Sequence, residues 1–254
     1  MINKYIKQHK IITSLLVLLL ILVGYVAYYL TTFSPANELA ISSIESTSVV
    51  NVVETSDTIT FTPLNNDPQV GLIYYPGGKV DPKSFAYAAN SIASNDILVV
   101  IEKMPFNLAI FDINAATKTI ENYPEIDQWF LSGFSLGGTA ASMYAYKHPL
   151  LFDGLILYAS YTTESANLND VLFPIISISG TSDGLATPEK INKYSDYLPN
   201  STEFVEIEGG NHTQMALYND GVPQSGDNQA TITDLTQQEM IIKLTLEFIN
   251  KYKN

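Results

Sequence analysis

Gly133-Phe134-Ser135-Leu136-Gly137 stands between an apolar run, 128–131, and a helix-forming stretch, 136–147. Where a strand turns sharply into a helix, a serine at the turn is held in a strained backbone conformation and its hydroxyl stands out at the strand's carboxyl end. Neighbouring segments pass so close there that the positions two before and two after must be glycine, as Gly133 and Gly137 are. The helix N-terminus just beyond favours developing negative charge. Such a serine is suited to attack a carbonyl carbon. Ser135 is the candidate nucleophile.

A serine is unreactive at neutral pH without a base, and the chain has three histidines. His9 precedes a long apolar run, and His148 ends the helix that Ser135 begins. At helical rise those thirteen residues put His148 roughly 20 Å from Ser135. His212, in the loop Glu208-Gly209-Gly210-Asn211-His212, is left as the base. A third group must orient the imidazole and stabilise its charged form. Asp183 fits, in the turn Gly180-Thr181-Ser182-Asp183-Gly184 after the apolar run 175–179; Asp153, Asp170 and Asp196 are its rivals. The oxyanion of the tetrahedral intermediate needs two backbone N–H donors. One is expected from Leu136, and the other from Tyr75-Pro76-Gly77-Gly78-Lys79, with Gly78 preferred and Gly77 or Lys79 as alternatives.

These residues need a frame that brings three turns to one edge. β-branched runs at 49–53 and 58–62 read as a hairpin. Strands expected at 70–75, 97–101, 128–131, 155–158, 175–179 and 203–207 then alternate with helical patterns at 81–94, 115–122, 136–147, 188–197 and 235–251. Asp81 and Pro82 provide a cap and a first position for the first of these helices. Short, nearly continuous apolar strands alternating with helices predict an α/β fold with a mostly parallel sheet covered on both faces. Residues 160–173 are too few for a helical cap domain, so the cap is minimal or absent and the site open. The polar stretch 214–234 is expected to border the pocket by position alone.

Twenty residues without a charge, 11–30, follow Lys4, Lys7 and Lys10. A helix of that length spans about 30 Å, the thickness of a bilayer's hydrocarbon. Residues 1–10 are read as a basic cytoplasmic terminus, 11–30 as an uncleaved signal anchor, 31–48 as a spacer and 49–254 as an exported domain. A cleaved signal peptide is the alternative, although Ser34-Pro35-Ala36 makes a poor cleavage site. All 13 basic residues are lysine and the formal net charge is −13. Beyond the apolar run 10 lysines face 26 acids, a surface that phosphate backbones repel, so nucleic acid is not an expected partner. The lack of cysteine excludes disulfides, thiolate metal sites and a cysteine nucleophile.

The runs YYPGGKVDPKSFAYAA, GFSLGG and GTSDGLAT, and GGNHTQ followed by DGVPQSGDNQATIT, resemble those of small bacterial α/β-hydrolases of the dienelactone-hydrolase-like branch. The resemblance covers roughly 49–254. It implies the α/β-hydrolase fold and a Ser–Asp–His triad on Ser135, Asp183 and His212, in the chain order typical of that fold. The chain departs from lipoprotein relatives in having no lipobox cysteine. It departs from dienelactone hydrolases proper in its serine nucleophile, so their substrate does not carry over. The expected activity is hydrolysis of a small carboxylic ester or other acyl substrate, with no metal or organic cofactor. An amidase or peptidase using the same triad, and a silent hydrolase fold that binds an envelope ligand, are the competing readings.

Overall fold

The computed structural model describes residues 2–253, apart from the side chains of residues 2–8 and of Ile11. The side chains of Lys4 and Lys7 therefore lie outside the described residues. The chain forms two compact units, Met1–Phe33 and Ser34–Asn254. The first is a single helix, α1 (Ile2–Thr31). Its window Ile12–Thr31 has a mean hydropathy of 2.2 and none of it is buried. By length and composition it can cross a bilayer, and a signal sequence has the same character.

The second unit is built on one eight-stranded sheet: β1 (Val50–Glu54), β2 (Thr58–Pro63), β3 (Val70–Tyr75), β4 (Ile97–Glu102), β5 (Gln128–Phe134), β6 (Gly154–Tyr158), β7 (Ile175–Gly180) and β8 (Glu203–Ile207). Their order across the sheet is β1-β2-β4-β3-β5-β6-β7-β8. β1 and β2 form the expected antiparallel hairpin, Val50 opposite Pro63 and Glu54 opposite Ile59. β2 runs antiparallel to β4, and every other pairing is parallel.

β3 to β7 are largely apolar and buried at every position because both faces of the sheet are covered there. Leu72, Tyr74, Val99, Ile101, Phe130 and Ile156 point to one layer, packed against α3 (Ala86–Ala93) and α7 (Asp234–Tyr252). Their chain neighbours Ile73, Tyr75, Leu98, Val100, Leu131 and Leu155 point to the other, under α4 (Ala115–Asn122) and α5 (Leu136–Lys147). Each full burial of such a side chain stabilises the fold by about 2 kcal/mol. Small residues on α5 (Ala140, Ala141 and Ala145) let that helix lie close to the strands. A sixth helix, α6 (Pro188–Tyr194), follows β7 and is capped by Thr187, and α2 is the short helix Glu38–Ser42.

Several boundaries differ from expectation. The helix expected over 81–94 opens as a 3-10 turn, Pro82–Phe85, with Asp81 accepting from the N–H of Lys83 at 3.0 Å. The strand expected at 128–131 runs on to Phe134, which carries it directly into the elbow. Between β6 and β7 the described residues hold only the 3-10 turn Glu164–Ala166, in keeping with a minimal cap. The larger correction concerns the spacer expected at 31–48. From Ser34 onward this segment belongs to the folded unit. Asn37 caps α2 through Ala40 N–H, Ala40 is fully buried, and Asn37 N–H donates to Leu217 O at 3.0 Å. The contact is carried by two alanines and by backbone bonds, which leave no hydrophobic period to read.

Candidate active site

Ser135 sits between the last residue of β5 and the first of α5, with φ 51° and ψ −121°. A left-handed φ on a non-glycine residue is strained, and the surrounding chain enforces it. A Cβ on Gly137 would lie 2.1 Å from Tyr75 O, and one on Gly133 would lie 2.6 Å from the backbone of Gly137. Ser135 N–H donates to Tyr158 O at 3.0 Å, and Ser135 O accepts from the Ser160 hydroxyl at 2.7 Å. The elbow is therefore tied to the end of β6.

Asp183 lies three residues past the end of β7. Its Oδ1 accepts from the N–H groups of Leu185 and Ala186, each at 2.7 Å. That leaves Oδ2 to the Nδ1 of His212, at 2.8 Å. His212 follows β8 through Gly209, whose φ of 74° turns the chain back over the sheet edge. Gln237 of α7 grips the preceding residue from both sides: its Oε1 accepts from Asn211 N–H at 3.0 Å, and its Nε2 donates to Asn211 O at 2.8 Å. The imidazole packs on Phe134 with ring centroids 4.7 Å apart, and its Nε2 lies 3.0 Å from Ser135 Oγ. One tautomer satisfies both contacts: Nδ1–H donating to Asp183, and Nε2 accepting from Ser135. Asp183 and His212 are each only 2% exposed, so their attraction acts in a medium of low dielectric.

Three expected residues are thus brought together, and their rivals are elsewhere. His148 ends α5, its ring against Tyr144 at 4.5 Å. Asp153 accepts from Trp129 N–H and the Gln128 amide, while Asp170 and Asp196 are exposed. Of the oxyanion donors, Leu136 occupies the first position of α5. Gly78 lies against it, because a Cβ there would stand 3.0 Å from Leu136 Cδ2. Gly77 lies over the ring of Phe134, where a Cβ would stand 2.4 Å from Cδ1. The alternative donor Lys79 is removed, since its N–H goes to Asn107 O at 2.7 Å.

Two supporting residues escaped the sequence reading. Asp227 Oδ1 accepts from Gly184 N–H at 3.0 Å and His212 N–H at 3.3 Å, while its Oδ2 takes the N–H and hydroxyl of Thr213. One carboxylate thereby joins the Asp183 turn to the His212 turn. Gln224, from the same polar stretch, lines the cleft; position within 214–234 was the only signal for either. The cleft has a volume of 320 Å³, and Ser135, Leu136, Thr139, Tyr161 and Leu185 also line it. A larger cavity of 640 Å³, lined by Glu102, Asp112, Lys118 and His148 among others, shares no residue with it.

The model of the alpha/beta hydrolase family matches residues 71–239. No curated protein matches the chain. Among solved structures, the esterase domain of a Rhodothermus marinus protein is similar with a TM-score of 0.60 at 12% identity, over 80% of this chain and 98% of that one. Est1E from Butyrivibrio proteoclasticus is similar with a TM-score of 0.56 at 12% identity, over 81% and 99%. A thermophilic esterase from Thermogutta terrifontis gives 0.57 at 15%, over 80% and 92%. At such identities the likeness shows the fold alone.

Proposed function

The chain belongs to the α/β-hydrolase family, and on that premise we propose that it is a serine hydrolase of carboxylic esters, held at a membrane by α1. The observation that carries this reading is His212, whose two ring nitrogens lie 3.0 Å from Ser135 Oγ and 2.8 Å from Asp183 Oδ2. Ser135 Oγ attacks the ester carbonyl while His212 Nε2 takes its proton. The oxyanion is met by the N–H of Leu136 and that of Gly78, with Gly77 as the alternative donor. His212 then gives the proton to the leaving alkoxide, an alcohol departs, and Ser135 remains acylated. Water, deprotonated by the same nitrogen, releases the acid. Asp183 keeps the ring in the productive tautomer and stabilises it when charged. These steps need no metal or organic cofactor. The esterases from Thermogutta terrifontis and Rhodothermus marinus among the similar structures support an ester substrate.

The test is turnover of p-nitrophenyl esters against the matching p-nitroanilides by the full chain in detergent. Esters should be hydrolysed, with the rate lost in Ser135→Ala. Preference for the anilides would instead favour an amidase. Turnover surviving Ser135→Ala would remove Ser135 from the reaction.

A further inference from the structure

Thr31 ends α1, and three residues later Ser34 is bound on both sides to the loop after β3. Ser34 N–H donates to Lys79 O at 2.7 Å, and Asp81 N–H donates to Ser34 O at 3.0 Å. Three residues of extended chain reach at most about 11 Å. Lys79 directly follows Gly78, the proposed oxyanion donor. If Ile12–Thr31 crosses a bilayer, that short connection limits how far Ser34 can stand from the end of the span.

Two loops flank the bound segment. Asn107 O accepts from Lys79 N–H, and Asn219 N–H donates to Pro35 O at 3.3 Å. Phe106, Ile110 and Phe111 expose 52, 45 and 56% of their surface at the tip of the first, next to exposed Asp112, and Val222 exposes 64% at the tip of the second, beside exposed Asp220. Phe106 and Phe111 meet edge to face at 5.9 Å. Both Phe106 and Asn107 hold φ at 56°, a strained value that persists only where the surrounding structure imposes it. The first loop meets the proposed oxyanion donor, and the second reaches the cleft. Leu108 lies against Gly78, and Gln224, two residues past Val222, lines the cleft wall.

We propose that these tips dock on the bilayer that α1 crosses, and that Ser135 acts on an acyl ester resident in that bilayer. This rests on the ester-hydrolase and membrane-span readings and names their substrate class. Binding at a bilayer surface strengthens with the apolar area buried at the headgroup boundary. The 10 lysines and 26 acids beyond α1 select a zwitterionic or neutral surface over an anionic one.

The test uses the full chain reconstituted in phosphatidylcholine vesicles. Phe111→Trp adds an emitter at a tip, and the contribution of the buried Trp129 is subtracted using the unaltered chain. Brominated lipid should remove about half or more of the added emission. Absence of quenching overturns the docking. Separately, the triple variant Phe106→Asn, Phe111→Gln, Val222→Ser should lose about tenfold in turnover of a vesicle-borne long-chain ester. Its turnover of a water-soluble acetyl ester should be unchanged. Equal loss on both esters, or none on either, overturns the substrate class. If the unaltered chain hydrolyses neither ester, the hydrolase reading fails, while quenching still decides the docking.

Discussion

Replacing Asp183 by asparagine preserves shape, and the surrounding donors decide how the new amide must lie. The N–H groups of Leu185 and Ala186, both 2.7 Å from Oδ1, demand an acceptor, so the amide oxygen must face them. The amide NH2 then faces His212 Nδ1, where the carboxylate stood at 2.8 Å. A donor there forces the imidazole proton onto Nε2, which points it at Ser135 Oγ and blocks proton transfer. Recovering the productive tautomer requires flipping the amide and leaving two buried N–H groups without an acceptor. At about 1–3 kcal/mol each, the flip costs about 4 kcal/mol, which leaves roughly one molecule in a thousand competent. Lost stabilisation of the charged ring adds to this, so kcat should fall by about three to four orders of magnitude. KM should change little, because Asp183 does not line the cleft. Steady-state hydrolysis of an activated ester measures both constants, and thermal unfolding checks the fold. Asp183→Ala, which also leaves the two N–H groups unpaired, should melt below Asp183→Asn. A kcat for Asp183→Asn within tenfold of the unaltered enzyme would refute the reasoning.

Three further outcomes follow from local geometry. Gly137→Ala would place a methyl group 2.1 Å from Tyr75 O and 2.3 Å from Pro76 O, both backbone, so denaturant unfolding should show a loss of about 3 kcal/mol or more. Asp227→Asn puts an amide NH2 among donors from Gly184, His212 and Thr213; it should cost about 2 kcal/mol of stability and about tenfold in kcat, read by chemical denaturation and steady-state kinetics. Burial pushes the Glu102 carboxyl from 4.5 up to about 7, helped by Asp112 and Asp57 and opposed by the Thr119 hydroxyl and by Lys118. The native state then binds the proton more tightly than the unfolded chain, so its contribution is full below about pH 4.5 and is lost as pH rises towards 7. Glu102→Gln keeps an acceptor for Thr119, so it should match the unaltered protein at pH 4.5 and exceed it by up to about 3 kcal/mol at pH 8 in paired unfolding curves.

The parallel sheet was legible because strands buried on both faces leave nearly continuous apolar runs, as in Val70–Tyr75 and in residues 97–101 of β4. The elbow was legible because close backbone approach admits only glycine at positions 133 and 137. Other features depend on partners far along the chain. Asp227 could not be distinguished from the other acids of its loop, because its partners are backbone N–H groups that meet only once the loop has folded. The docking of α2 rests on Ala36 and Ala40, too small to produce a pattern. Lys79 dropped out as an oxyanion donor only through the carbonyl of Asn107, twenty-eight residues on.

The central claim, that Ser135 is the nucleophile activated by His212, is tested most directly by covalent labelling. The full chain in detergent is exposed to a fluorophosphonate, digested, and mapped by mass spectrometry. The account predicts a single adduct on Ser135, formed far more slowly in His212→Gln and at the unaltered rate in His148→Gln. An adduct on another residue, or labelling of Ser135 that is indifferent to His212→Gln, would contradict it.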